Sequence, residues 1–429
     1  SQVSLLDPAG DSTDTSWLAA LLDSGKRVAG MFFLRGDEKP RSNVPGRPLL
    51  TWWILPLFLV GFLAPVWPRR SGRSLFLVMW FLIMLLPTWL TELAPSFQRA
   101  IGAFPPLILL VAEGGGTLWR QVQSAFTGPT GWRTRHSWGR WATATVAALL
   151  LLIVLAESSA SLSAFRQWTA MPSLFYAFDE GLTQLGQYMA SLPPERLVYL
   201  SPVPGHPTLT FFLTTAPAPP EVRTFDGRRV LVSRPGEDLT YVVVVHEDYR
   251  FELMAPWLYP EQDLPSVKFY DREGHTYAQV YRVPGTARLR EPQFSKDIRW
   301  EDNVHLTGYD LIGCCVYRPG DMMYLELGWA VGSIPPKHPW TIFTHLLAPD
   351  GNLVAGDDCE PGCGSYPTTR WQPGDVIVDE YQLQIPADAP PGEYTLEIGL
   401  YDWRTGNRLP MIGDGGNSAT LVPITVAAP

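Results

Sequence analysis

Basic side chains gather where apolar runs begin. In "RGDEKPRSNVPGRPLLTWW", Arg35, Lys39, Arg41 and Arg47 precede an uncharged stretch that continues to Trp67. In "SFQRAIGAFPPLILL", Arg99 stands just ahead of another such run. The chemistry this suits is capture of an anionic headgroup. A guanidinium presents a planar fork that donates two parallel hydrogen bonds to a phosphate, whereas an ammonium acts as a point charge. Pro45, Pro48, Pro105 and Pro106 fix φ and stiffen the approach to each run. The competing role for these cations is snorkelling to ordinary lipid phosphates, and Lys39 is assigned to it. Asp37, Glu38 and Glu92 are the carboxylates nearest these cations. A carboxylate there could deprotonate a hydroxyl, but helix capping and pairing with Arg35 or Arg99 is the preferred role.

Other side chains offer less. Cys314, Cys315, Cys359 and Cys363 allow three pairings. Neighbours in a strand point to opposite faces, so at most one of Cys314 and Cys315 could meet Cys359 or Cys363. "CEPGCG" closing as a small loop disulfide between Cys359 and Cys363 is the first choice. The spacing is poor for four thiolates on zinc. Asp357, Asp358 and Glu360 could hold a divalent cation such as Ca²⁺, although no EF-hand pattern surrounds them. No cofactor is otherwise identifiable. Trp371, Trp403 and Tyr401 could stack on a sugar, as could Trp340 and Tyr381, or they could be core. His206 and His246 stand alone and read as structural.

The elements that must position these groups divide the 429 residues unevenly. Four apolar segments, 49–67, 74–91, 100–119 and 141–156, are read as membrane spans. A helix rising 1.5 Å per residue needs about 20 apolar residues to cross a bilayer core. The third span carries Glu113 beside Gly114–Gly116, and the fourth could lengthen into Ser158–Ser163. Counting Lys and Arg alone gives a near tie, because the N-terminal segment is basic too. Two short loops, "PRRSGR" and the segment from Arg120 to Arg140, hold Arg and no acid, the kind of loop on which the positive-inside rule is calibrated. This breaks the tie in favour of a cytoplasmic position for them and an outer one for "ELAPSFQR". Residues 1–48 and everything beyond the fourth span then lie outside, where an oxidising compartment suits the cysteines. Ahead of the first span, "DTSWLAALLDSGKRVAGMFFL" has helical apolar spacing, with Thr15 or Ser16 as cap, and reads as an interfacial amphipathic helix. A net charge of −9 argues against a nucleic-acid partner.

The rest is water-soluble in character. Residues 170–290 read as a small α/β domain: "RLVYL" and "TYVVVVHED" are buried strands, "FELMAPWLYP" is a short helix, and "SVKFYDREGHTYAQVYRV" is a hairpin. No Gly-rich loop opens a helix after its first strand, so no nucleotide site is expected. Residues 295–429 read as an all-β sandwich of alternating strands separated by Pro-Gly turns. "VPGTARLREPQF" resembles a linker between them, so the sandwich should fold alone from about Phe294. The predicted fold is therefore multi-domain: an α-helical transmembrane bundle (49–165), a small α/β domain and a sandwich.

"MFFLRGDEKPRSNVPGRPLL" and the later "QRAIGAFPPLILL" resemble the C-terminal half of bacterial membrane glycosyltransferases of the GT-C fold, the group of protein O-mannosyltransferases and lipid A aminoarabinose transferases. Gly36, Asp37, Arg41, Asn43, Pro45, Gly46 and Pro48 match one stretch of that pattern; Arg99 and Pro105 or Pro106 match another, which here lacks its Tyr. The C-terminal strands resemble the accessory sandwich modules of such enzymes. The resemblance implies a polyprenyl-phosphate-linked sugar as donor, transfer outside the cytoplasm to a glycan or protein acceptor, and Arg99 as leading phosphate ligand with Arg41 and Arg47 behind it. It also implies that Ser1 begins where the family's second half begins, so that the catalytic base of the first external loop is absent. The alternative is a non-enzymatic, membrane-anchored surface protein whose outer domains bind glycan or a protein partner.

Overall fold

The computed structural model describes residues 17–66, 72–91, 94–127, 136–203, 205–264, 267–413 and 415–428. The caps Thr15 and Ser16, Glu92, and the arginines Arg69, Arg70, Arg133 and Arg135 lie outside this set. The chain forms two compact units, 1–178 and 179–429.

The first unit is helical. Its helices are α1 (Trp17–Gly30), α2 (Leu55–Leu63), α3 (Gly72–Trp89), α4 (Phe104–Thr127), α5 (His136–Thr169) and α6 (Leu174–Ala177). Three stretches, 72–89, 101–125 and 141–169, are long and apolar enough to cross a membrane. The expected first span falls short. Its helical part runs only over Trp52–Val66, with 3₁₀ turns on either side of α2. At 1.5 Å per residue that is roughly 22 Å, less than a bilayer core of about 30 Å. Pro56 at the start and Pro65 in the closing turn account for the irregular ends. What α2 lacks in length it gains in packing. A Cβ added at Gly61 would lie 1.9 Å from the carbonyl oxygen of Leu110, and one at Gly114 would lie 1.9 Å from that of Leu57. The two glycines thus let the backbones of α2 and α4 touch. Phe33, Phe58, Phe81 and Phe32 form an aromatic cluster beside this crossing, with ring centroids 5.2–5.6 Å apart for successive pairs in that order.

The second unit begins with α7 (Glu180–Ala190), β1 (Leu197–Ser201), α8 (Pro207–Thr215), β2 (Glu221–Thr224), β3 (Val230–Ser233), β4 (Leu239–Val244), α9 (Arg250–Leu258), β5 (Val267–Tyr270) and β6 (Thr276–Val283). It continues with β7 (Phe294–Arg299), β8 (His305–Ile312), β9 (Val316–Tyr317), β10 (Met322–Ala330), β11 (Thr341–Leu347), β12 (Leu353–Cys359), β13 (Val376–Gln384), β14 (Gly392–Tyr401), β15 (Ser418–Thr420) and β16 (Ile424–Val426). One mixed sheet has the order β2-β1-β4-β6-β5, with β1 parallel to both β2 and β4. All six residues of β4 are buried, as the unbroken apolar run "LTYVVV" requires. The sandwich has two sheets, β3-β13-β10-β8-β7 and β12-β11-β14-β16-β9, with β15 added on β14.

The boundary near Phe294 is not a clean one. β3 arises within the α/β region but pairs antiparallel with β13 of the sandwich, Val230 opposite Asp379 through Ser233 opposite Val376. One apolar core runs from Leu197 to Val426 across both layers. Charged clasps join them too. Asp310, Glu326 and Glu380 sit opposite one another on β8, β10 and β13. Arg250 of α9 reaches Glu326 at 2.8 Å and Glu380 at 2.7 Å, and Arg290 reaches Asp310 at 2.8 Å. Asp375, fully buried, accepts from Arg234 and from Tyr366.

Candidate functional site

The site is built in the first unit by a loop that closes on itself. After α1 the chain turns back, with Leu50 N–H donating to Phe32 O at 2.8 Å. Gly36 N–H donates to Gly46 O and Gly46 N–H to Asp37 O, both at 3.0 Å. Gly36 has to be glycine, since a Cβ would lie 2.0 Å from Arg47 O and 2.9 Å from the Phe97 ring. Gly46 sits at φ +72°. Asn43 braces the far side, its amide donating to Arg47 O at 3.1 Å.

Asp37 holds this loop to the segment that bears Arg99. It is 1% exposed. One carboxylate oxygen accepts Lys39 N–H at 2.9 Å; the other accepts Phe97 N–H at 3.1 Å. Ser96 N–H in turn donates to Thr88 Oγ1 at the end of α3. The two sequence stretches that stood out separately are therefore one hydrogen-bonded structure. Asp37 is a buried fastener between two backbone segments, neither the helix cap nor the arginine partner expected of it, whereas Glu38 pairs with Arg35 at 2.9 Å.

The three arginines differ in what they already hold. Arg41 Nε donates to Ala177 O at 2.8 Å, and its guanidinium lies 5.7 Å from the Phe178 ring centre. Arg47 donates to Ala160 O at 3.1 Å. Arg99 is half-buried and has no hydrogen bond or ion pair among the described residues. Its position is nevertheless fixed, because Phe97 and Ala100 on either side are hydrogen-bonded. Beside this lies an open cleft of about 500 Å³, lined by Lys26, Arg27, Leu34, Arg35, Glu38 and Pro95 among others. Arg41, Arg47 and Arg99 do not line it.

Two residues of this region escaped the sequence reading. Glu157, on α5, accepts both the backbone N–H and the hydroxyl of Thr51. Trp168 donates its indole N–H to Pro40 O at 2.7 Å. Glu157 directly follows Ala156, where the expected span stops; a lone acid at that border was the available signal.

The second unit corrects several expectations. Trp371 is 1% exposed, donates to Tyr366 O and packs on Trp329, so it is core and not a platform for sugar. Trp340 and Tyr381 are buried as well. Tyr401 is half-buried; Trp403 is 58% exposed, with Arg404 5.3 Å from its ring centre. The disulfide joins Cys314 to Cys315. These two stand in a turn between β8 and β9, with Gly313 and Cys315 at positive φ, so the alternation of a strand does not apply. Cys359 and Cys363, the pair expected to close the "CEPGCG" loop, face each other across it with their sulfurs in contact. His206 caps α8, its ring accepting Thr208 N–H. His246 packs against Tyr277 with their rings tilted and centroids 5.3 Å apart. Asp357 and Asp358 are engaged with Gln382 N–H and His345. Among the described residues, the acidic group that could hold a metal is elsewhere: Asp271, Glu273 and His275 have ligand atoms within 4.8 Å of one another. Asp271 already accepts the backbone N–H groups of Glu273 and His275, which makes it the fastener of a hairpin turn.

No protein family matches the sequence, and no curated protein does. Among solved structures, the chain is similar to a family 123 glycoside hydrolase from Clostridium perfringens, at 13% identity and TM-score 0.19, over 27% of this chain and 22% of that one. It is similar to the C-terminal domain of wzt at 12% identity and TM-score 0.21, over 32% and 82%. It is also similar to a membrane-anchored protein from Corynebacterium diphtheriae at 11% identity and TM-score 0.16, over 49% and 61%.

Proposed function

We propose that this chain is the C-terminal part of an integral-membrane glycosyltransferase that moves a sugar from a polyprenyl-phosphate carrier to an extracytoplasmic glycan or protein acceptor. In this reading the phosphate of the donor lipid binds at Arg99, with Arg41 and Arg47 as flanking cations. Residues 179–429 and the loop 35–48 lie outside the cytoplasm, and nucleic acid is not a partner. One observation supports this above the others. Arg99 has donors to spare, on a backbone made rigid by the buried Asp37, at the start of a helix long enough to cross the membrane. With the backbone fixed, only the Arg99 side chain remains to be ordered when its planar fork meets an anion. As a leaving group, a lipid phosphate gains from a cation already in place.

The test is binding of polyprenyl phosphate to the full-length protein in nanodiscs of neutral lipid. Arg99→Ala should weaken binding by about 1.5–3 kcal/mol, the range for a hydrogen bond to a charged group. Arg99→Lys should recover part of it, and Lys39→Ala should change little. Parent-like binding by Arg99→Ala makes the residue a lipid anchor and removes the reading.

A second reading, a membrane-anchored surface protein that binds glycan or a protein without chemistry, is favoured by exposed Trp403. It predicts glycan binding lost in Trp403→Ala, and no sugar transfer by the full-length protein.

A further inference from the structure

The loop "CEPGCG" joins β12 to the rest of the sandwich and carries two cysteines whose sulfurs face each other within disulfide-forming reach. The two are not equivalent. Cys363 is exposed, while Cys359 is half-buried. The loop between them is tightly determined. Pro361 and Gly362 are buried, and Gly362 and Cys363 are in the left-handed region at φ +62° and +46°. A Cβ at Gly362 would lie 2.7 Å from Val230 Cγ1, so the turn admits only glycine. Beneath it is a fully buried carboxylate. Asp379 of β13 accepts Gly362 N–H at 2.9 Å on one oxygen and the Tyr381 hydroxyl at 2.6 Å on the other.

We propose that Cys359 and Cys363 are a reversible dithiol–disulfide pair that reacts with an aliphatic disulfide, with Cys363 the attacking sulfur, Cys359 the resolving sulfur and Asp379 the buried carboxylate beneath the loop whose charge restrains Cys359. The electrostatics agree with the geometry. The hydrogen bond from the Cys359 thiol and the charge of Arg229 hold Cys363 below the ordinary thiol range. Its partner in that bond, burial and the charge of Asp379 push Cys359 well above it. Burial pushes Asp379 itself up to about 7. Exposure combined with thiolate character is what makes a cysteine react.

The reaction balances in two exchanges. The Cys363 thiolate attacks one sulfur of R–S–S–R, forming a mixed disulfide and releasing RS⁻, which takes a proton from water. Cys359 gives its proton to water and attacks the Cys363 sulfur, closing the 359–363 bond and releasing a second RS⁻, which is protonated in turn. Two protein thiols are oxidised and one external disulfide is reduced to two RSH. Nothing in this depends on the lipid site or on which side of the membrane the second unit lies.

The experiment is mass mapping of the reduced full-length chain in detergent, with glutathione disulfide as probe. Cys363 should alkylate with iodoacetamide at pH 7 roughly tenfold faster than Cys359. Glutathione disulfide should consume both thiols together, and dithiothreitol should restore them without unfolding. Cys359→Ser should trap glutathione on Cys363, and Cys363→Ser should leave Cys359 largely unmodified. Asp379→Asn should speed ring closure several-fold at pH 8 and leave it unchanged at pH 6, because only an ionised Asp379 holds the proton on Cys359. A pH-independent effect of Asp379→Asn would make that residue structural and overturn its role. Equal reactivity of the two thiols, or a 359–363 bond that dithiothreitol opens only after unfolding, would overturn the redox pair.

Discussion

Glu326 gives the second unit a pH dependence that can be worked from its surroundings. It is 1% exposed, and one of its carboxylate oxygens has no hydrogen bond among the described residues. It faces Arg250 from α9, Glu380 from β13, and Asp310 with its partner Arg290 from β8 and the segment before β7. Three carboxylates thus share two guanidinium groups. Burial, opposed by Arg250 and reinforced by Glu380, pushes Glu326 up from 4.5 to about 7. At about 1.36 kcal/mol per unit, that shift corresponds to roughly 3 kcal/mol. The folded-state pKa lies above the unfolded one, so between them the folded protein binds the extra proton. The benefit from this group is complete below about pH 4.5, shrinks as the pH rises, and is gone above about pH 7. Asp379 acts with the same sign, so the clean measurement is the difference between Glu326→Gln and the parent. Urea unfolding of residues 179–429 at intervals from pH 5 to pH 8 should show the variant gaining on the parent by about 2.5 kcal/mol across that range. A constant difference at all pH values would mean that the carboxylate is ionised throughout and that the burial argument fails.

Two further outcomes follow from the packing. Gly114→Ala should destabilise the first unit by about 1–3 kcal/mol, because its Cβ meets a backbone carbonyl; Gly115→Ala, whose Cβ would be 3.6 Å from a Leu150 methyl, should not, and denaturation in mixed micelles would separate the two. Residues 294–429 expressed alone lack β3 and the arginine partners of Asp375, so they should melt at lower temperature than 179–429 and aggregate through the bared edge of β13; a matching melt would show β3 to be dispensable.

Much of the framework was legible because it depends on period and composition. An apolar run gave β4, a polar turn between alternating strands gave the β5–β6 hairpin, and long, mostly apolar stretches gave α3, α4 and α5. The features that were hidden depend on partners distant in sequence. "VLVS" in β3 carries no mark of the sheet it joins. Trp371 and Trp403 look alike as aromatic residues, but one has Trp329 and Tyr366 around it and the other has solvent. The resemblance ranked Arg99 ahead of Arg41 and Arg47, but the carbonyls of Ala177 and Ala160 that engage the latter two could not be read from the sequence. Asp37 was visible as an acid near cations; its hydrogen bond to a residue 60 positions away was not.

The pairing of β3 with β13 also sets an order of assembly. β3 leaves the ribosome roughly 140 residues before the strand it must meet. Until β13 is made, its four buried residues have no sheet to enter, and loop closure of that length must precede the contact. The α/β layer can form its own β2-β1-β4-β6-β5 sheet during this interval, with β3 left over as an unpaired strand. β3 can therefore enter its sheet only after a strand far downstream has been made, which ties completion of the sandwich edge to a segment from the other layer.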